Sequence, residues 1–450
     1  MSRNWVTLAF QRLLGLVTEI RPDELQTTLR LAARIFLVMV AYYLLKPTRE
    51  ALILADGSAE LRSYAVAFQA GLMFLVLPLY SHFSRRYAGE GIFVGVTLFF
   101  ISNLGLFYFL GTGGARLGLV FFIWLGIFNV TQIAQFWALA AHVHTVQSGQ
   151  RLFAFIALGG SLGAVVGSQL AEWLFEVLGP FQLMLVAMGV LFSAIFAGGK
   201  LPGRAEGDRE GRPTGIGALL GGLVPVLRSP YLRKIALFVV LLNCINTIGE
   251  FILAEMVVGH VEATLSPGES KEARIGAFYA DFFAWVNLLT LLFQLFLVSR
   301  LYRTIGVQGA LLVLPLIALS GYMLMAFFPV FAVVRVIKVL ENSTDYSIQT
   351  TTRHVLFLPE TTDGKYAGKT TIETLFWRMG DLLQAGVVFL GVSYLGFKTS
   401  DFALFNLGLA VLWLLVAFRI ARSYQVLAGP LNADGPYAGV RKTPATAARK

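Results

Sequence analysis

The chain of 450 residues has 56% apolar side chains, a mean hydropathy of +0.70 and only 14% charged residues, which is too apolar for a water-soluble protein and too long for a single membrane anchor. Its formal net charge of +10 falls between apolar runs, so it reads as membrane topology and not as a nucleic-acid surface. Cys244 is the one cysteine, which leaves no disulfide within the chain, and the five histidines are scattered; no metal site, cofactor or catalytic constellation is read, and the chain is not taken for an enzyme.

From the N-terminus, Arg3, Arg12, Arg21 and Arg30 interrupt short apolar stretches, and Trp5, Leu8, Ala9, Leu13, Leu16 and Val17 recur at helical spacing. Residues 1–30 are therefore expected to form an amphipathic cytoplasmic segment, with Pro22, Asp23 and Glu24 opening a helix. Runs long enough to cross about 30 Å of hydrocarbon follow near residues 31–54, 63–81, 92–111, 117–141, 152–176, 181–198, 232–258, 277–299, 307–325, 328–350, 372–395 and 401–421. The predicted fold class is an all-α polytopic membrane protein with twelve transmembrane helices.

The polar, Gly- and Pro-rich stretch from Lys200 to Pro213 divides these runs evenly. Expected domains are a six-helix bundle over 31–198, a cytoplasmic linker over 199–230, a second six-helix bundle over 231–421 and a flexible cytoplasmic tail over 422–450. Two halves of this kind match a transporter that rocks around a midplane cavity. With the N-terminus inside, the inner loops hold Arg85, Arg86, Arg151, Arg300, Arg303, Lys365 and Lys369, whereas Arg62, Arg116, Lys271, Arg274 and Lys398 fall outside. That bias predicts both termini to be cytoplasmic.

Charges inside apolar runs are the candidate site, because each costs at least ~2.5 kcal/mol at bilayer depth. The first run ends in Tyr42, Tyr43, Lys46, Pro47, Thr48, Arg49 and Glu50, and Pro47 is expected to kink it. Lys46 and Arg49 either hold an anionic substrate by charge-assisted hydrogen bonds or snorkel to headgroups, with Glu50 as a pairing partner. The frame returns at Tyr346, Thr352 and Arg353, where Arg353 is read as a phosphate-attracting or gate residue at the inner mouth. In the fifth run Gly159, Gly163 and Gly167 stand one turn apart and are expected to admit a neighbouring helix closely.

Arg335, Lys338, Glu341 and Asp345 share one face of the tenth run. They either neutralise one another, or Arg335 and Lys338 are substrate ligands with the acids as gating partners. Glu250 and Glu255 of the seventh run and Asp281 of the eighth are ion-pair gates or proton carriers. Arg378 and Asp381 of the eleventh run stand at pairing distance in sequence, and Tyr42 and Trp137 are aromatic candidates for substrate contact. The stretch from Gly364 to Thr370 looks like a phosphate loop but is one residue short and has no preceding strand.

These residues resemble the nucleotide transporter family, the ATP/ADP translocases of plastids and obligate intracellular bacteria and their bacterial relatives. The pattern basic-x-Thr-basic-acidic-x-Leu is met by Lys46, Thr48, Arg49, Glu50 and Leu52. The region after the tenth run is similar through Arg353, Phe357, Pro359, Lys365, Gly368, Lys369, Arg378 and Gly380, and the stretch from Asn246 to Glu250 resembles the family's acidic patch. Asp381 stands where the translocases have a basic residue. The resemblance implies a major-facilitator-like fold, a bacterial inner-membrane location and nucleotide exchange across the bilayer.

The expectation is a secondary transporter for an organic phosphate anion, acting as a monomer by alternating access, with no cofactor. Tyr42, Lys46, Arg49, Trp137, Arg335 and Lys338 are the expected substrate contacts, and Glu50, Glu250, Asp281, Asp345, Arg353, Arg378 and Asp381 the gating or coupling residues. The alternatives are a proton-coupled carrier of a lipid or amphiphile and a non-transporting membrane scaffold.

Overall fold

A computed structural model describes residues 22–86, 89–199, 221–361 and 363–428. Those residues are mainly helical, with no strand among them, in eleven long elements: α1 (Pro22–Asp56), α2 (Ala59–Arg86), α3 (Glu90–Thr112), α4 (Gly118–Val143), α5 (Val146–Ala197), α6 (Pro230–Thr264), α7 (Lys271–Thr304), α8 (Gly306–Phe327), α9 (Phe331–Thr344, continued by Asp345–Gln349 and Thr350–Leu356), α10 (Gly364–Leu395) and α11 (Thr399–Ala428). Nine of the described helices are long and apolar enough to cross a membrane, and α2 and α9 fall outside that set.

Local chemistry marks the helix ends. Thr145, Ser229 and Ser270 cap α5, α6 and α7 by accepting from the backbone N–H three residues on, and Pro230 occupies the first turn of α6 where its missing N–H costs nothing. Inside the 52-residue α5, Gly179 has φ 76° and precedes Pro180, so the element is two helical arms meeting at a kink. α1, by contrast, stays helical through Pro47.

Several expected edges move. α1 begins at Pro22, before the run expected from residue 31; a short helix Leu223–Arg228 lies inside the expected linker; and α11 reaches Ala428, inside the expected tail. Residues 1–21, most of the linker and residues 429–450 lie outside the described residues, as therefore does most of the amphipathic N-terminal expectation. The phosphate-loop look-alike is helical, Gly364–Gly368 being a π turn that runs on into Lys369–Thr371, so its N–H groups are largely engaged within the helix.

Helix α1 packs mainly on α5 and α4, while α6 packs on α10, α11 and α9. The two sets meet where α5 and α1 lie against α7, and where α2 lies against α10 and α6. The closest approach uses the glycines: a Cβ on Gly163 would stand 2.9 Å from the Phe36 Cα, and one on Gly167 would stand 2.7 Å from the Val40 Cα. Backbones this near are possible only without side chains.

Arg34 fastens the same region. Fully buried, it donates to Glu90 at 2.5 Å and to the Ala194 and Ile195 carbonyls at 3.2 and 3.1 Å, tying α1 to the start of α3 and the end of α5. Carbonyls at a helix C-terminus favour a cation, and the carboxylate completes its neutralisation.

Candidate functional site

Where α1 ends, Glu50 is fully buried between two guanidinium groups. Arg49 donates to it through Nη2 and, at 3.0 Å, through Nε, and Arg62 of α2 donates through Nε at 2.6 Å. Arg62 also reaches Glu250 of α6 at 3.4 Å. Glu250 lies 3.5 Å from Lys338 of α9 and accepts from Asn342 at 2.9 Å. Lys338 in turn donates to Glu341 at 2.9 Å and to the Asn246 side chain at 2.8 Å, and Glu341 accepts from the Tyr322 hydroxyl at 3.1 Å.

The result is an alternating chain, Arg49, Glu50, Arg62, Glu250, Lys338 and Glu341, whose three cations and three carboxylates cancel. Alternation is what allows charges to remain buried here: each carboxylate's desolvation is offset by a cation within hydrogen-bond or ion-pair range. The chain joins α1 and α2 to α6 and α9 through the Arg62–Glu250 contact. A second polar link lies nearby, from Gln384 of α10 to Ser63 of α2 at 2.8 Å.

Next to this network lies a cavity of about 780 Å³ between α1, α4, α5, α7 and α9. Lys46 is on its wall, 7% exposed, and makes no ion pair among the described residues. Aromatic faces surround its ammonium group: the Phe283 ring centroid is 3.9 Å from Nζ, Tyr43 5.2 Å and Tyr346 5.8 Å. Such faces attract a cation without neutralising it. Tyr42 and Trp137 line the cavity too, as do the amides Asn129, Asn287 and Gln294. Asn129 Oδ1 has no hydrogen-bond partner. The repeated sequence frame thus brings Tyr42 and Tyr346 into one cavity, while its two arginines part: Arg49 joins the network and Arg353 lies further along α9.

The other expected residues sit elsewhere. Arg335 pairs with Asp281 and borders a separate cavity of about 560 Å³ with Glu172, Glu176, His260 and Arg274, outside the wall around Lys46. Arg378 donates to Asp381 at 3.1 Å, and Asn243 of α6 donates to the same carboxylate at 2.7 Å, which fastens α10 to α6. Asp345 is 3% exposed and its Oδ1 has no partner. Arg353 is 8% exposed, lies 4.7 Å over the Trp377 ring and donates to Thr350 at 3.2 Å, leaving Nε and Nη1 without acceptors. The π turn Asp345–Gln349 sits at this point of α9, and Tyr346 within it faces the cavity.

Sequence reasoning passed over Arg62, Phe283 and Tyr322, and named Asn246 only as the start of the stretch that resembles an acidic patch. Arg62 looked like a loop cation; the signal available was its place in the first turn of a helix, twelve residues beyond Glu50. The aromatic partners had none, since they belong to apolar runs in which such residues are ordinary packing.

Residues 6–111 match the family model described as TLC ATP/ADP transporter. No curated protein matches the chain. Among solved structures, a point mutant of the nucleoside transporter NupG is similar with TM-score 0.61 and 12% identity, over 89% of this chain and 99% of that one. A bacterial homologue of the human lysosomal transporter Spinster, in an inward-facing and unoccupied conformation, is similar with TM-score 0.57 and 13% identity over 95% and 100%. The human organic anion transporter MFSD10 is similar with TM-score 0.55 and 15% identity over 88% and 100%. At these identities the likeness is one of fold. The chain is a multi-pass helical membrane protein that shares the fold of these solved transporters, and its residues 6–111 match the TLC ATP/ADP transporter family model.

Proposed function

We propose that the protein is a secondary transporter that exchanges organic anions by alternating access, with nucleotides the class favoured by the family match. The observation that carries this is Lys46: a buried ammonium group on the wall of a large cavity, with aromatic faces around it and, among the described residues, no carboxylate within ion-pair distance. A cation held so is incomplete, and an anionic group on a cavity-sized ligand completes it.

In this reading α5 counts as two spans on either side of Gly179, and α2 and α9 cross the membrane as charged cavity helices, so that twelve spans form two six-helix halves. The charge bias of the loops orients the termini to the cytoplasm, so the ion network is the barrier on the outer side and the Lys46 cavity is served from within. Opening outward requires Arg62 to leave Glu250 and Gln384 to leave Ser63, each across the halves. Substrate anion at Lys46, a few residues from Arg49, offers the competing charge that loosens the latch. Arg335–Asp281 ties α9 to α7, and Asp381, which accepts from Asn243 of α6, ties α10 to α6. The protein works as a monomer.

Counterflow tests the reading. Proteoliposomes preloaded with unlabelled nucleotide take up labelled nucleotide faster than unloaded ones; equal uptake under every preload, with the protein correctly inserted, removes the exchange assignment.

One observation favours a second reading. Asp345 is a buried carboxylate whose Oδ1 has no partner, which suits a proton-coupled carrier. Uptake that follows an imposed pH gradient and loses this dependence in Asp345→Asn decides for it.

A further inference from the structure

The charges around the cavity can be counted pair by pair. Three cations and three carboxylates cancel in the Arg49–Glu341 network. Arg335 cancels with Asp281, Arg378 with Asp381, and Arg34 with Glu90. On α9 the buried Asp345 and Arg353 make no ion pair among the described residues, and their formal charges sum to zero. Lys46 remains. Among the described residues, no other Lys or Arg, and no Asp, Glu or His, lines its cavity.

We infer that this cavity takes an organic monoanion with a flat aromatic body, and that Lys46 sets the limit of one negative charge. The inference rests on the cavity being the substrate site. A single anionic group makes the occupied cavity neutral, the condition under which charges are tolerated away from water. A triphosphate would bring roughly three further negative charges with no cation in the wall to meet them, and uncompensated charge at bilayer depth is strongly unfavourable. The arrangement of the wall supplies the rest of the ligand description. Tyr42, Trp137 and Tyr346 line it with rings against which a flat body packs, and the amides of Asn129, whose Oδ1 has no partner among the described residues, and Gln294 offer donors and acceptors to its edge. A volume of about 780 Å³ suits a body of nucleoside size. Cyclic nucleotides and aromatic monocarboxylates share these properties.

Trp137 in the wall provides the readout. The purified full chain in lipid nanodiscs is titrated, following tryptophan emission, with two ladders. The first is adenosine, cyclic AMP, AMP, ADP and ATP; the second is naphthalene methanol, naphthoate and naphthalene dicarboxylate. The monoanion of a ladder binds at least ten times more tightly than its neutral member and than its most charged member. In Lys46→Gln the neutral member binds as well as the monoanion, and in Lys46→Arg, which keeps the charge, the original order returns.

Tightest binding of ATP or the dicarboxylate to the wild type overturns the inference. So does an unchanged order in a monodisperse Lys46→Gln protein, or the failure of both monoanions to bind. Binding of the carboxylate ladder alone, in the expected order, supports the one-charge limit while removing nucleotides as substrates.

Discussion

Replacing Glu250 by Gln tests whether the ion network is the barrier. Glu250 is the carboxylate that Arg62 reaches from the other half, at 3.4 Å, whereas Arg62 keeps Glu50 at 2.6 Å and Lys338 keeps Glu341 at 2.9 Å when Glu250 is neutralised. The network then carries one uncompensated positive charge. Removing one partner of a buried pair costs about 3–5 kcal/mol, and the surviving Arg62–Glu50 contact argues for the lower end. Arg62 meets Glu250 only while the two halves are latched, so a loss of about 3 kcal/mol from that contact moves the equilibrium with the opened state by roughly a hundredfold. The assay is alkylation of a cysteine placed at Ser161, on the cavity wall, in a Cys244→Ser background, by an impermeant reagent applied from the network's side. Glu250→Gln accelerates labelling by one to two orders of magnitude, and Glu250→Asp, which keeps the charge on a shorter stem, does so by much less. Labelling within twofold of the parent in a folded Glu250→Gln protein would refute the barrier role.

Three further outcomes follow from the geometry. Lys338→Gln lowers exchange at least tenfold because Lys338 is fully buried with two carboxylates in range, whereas Arg335→Gln changes it less than fivefold, its pair with Asp281 being partly exposed and such pairs amounting to about 0–1 kcal/mol; initial rates of counterflow separate the two. Gly163→Leu forces α1 from α5 and costs about 1–3 kcal/mol or more, read as a lower temperature of aggregation by fluorescence-detected gel filtration, while Gly95→Ala, where an added Cβ meets nothing within 4 Å, leaves it unchanged. Asp381→Asn keeps the Asn243 contact in reach and leaves Arg378 without its partner, so it lowers thermal stability more than it alters substrate affinity.

Much of the fold was legible because apolar runs and polar breaks follow directly from the bilayer's dimensions. Lys46 stood out for the same reason, as a charge with apolar sequence on both sides. What sequence could not supply was pairing through space. Arg335 and Lys338 stand three residues apart and looked equivalent, yet a helix turns about 100° per residue, and the residual rotation of about 60° with a rise of about 4.5 Å separates them. One lies at a partly exposed pair with Asp281 and the other lies between Glu250 and Glu341. Arg62 read as a loop cation because its importance comes from α2 passing beside both Glu50 and Glu250, and its place in the first turn of a helix was the one hint. The glycine ladder of α5 was readable as a close contact, but its partner, the Phe36–Val40 face of α1, emerged only from the packing. In α9 the π turn Asp345–Gln349 changes the register beyond Glu341, so a regular helical stripe drawn from Arg335 onward loses its meaning before Arg353.

The central claim is that one buried ammonium group makes the cavity an anion exchanger. Counterflow in proteoliposomes measured side by side for the wild type, Lys46→Gln and Lys46→Arg tests it most directly, with labelled cyclic AMP, AMP and ATP offered in turn. The account predicts preload-dependent uptake of at least one of these anions by the wild type, a loss of tenfold or more in Lys46→Gln and partial return in Lys46→Arg; uptake by Lys46→Gln equal to that of the wild type would contradict it.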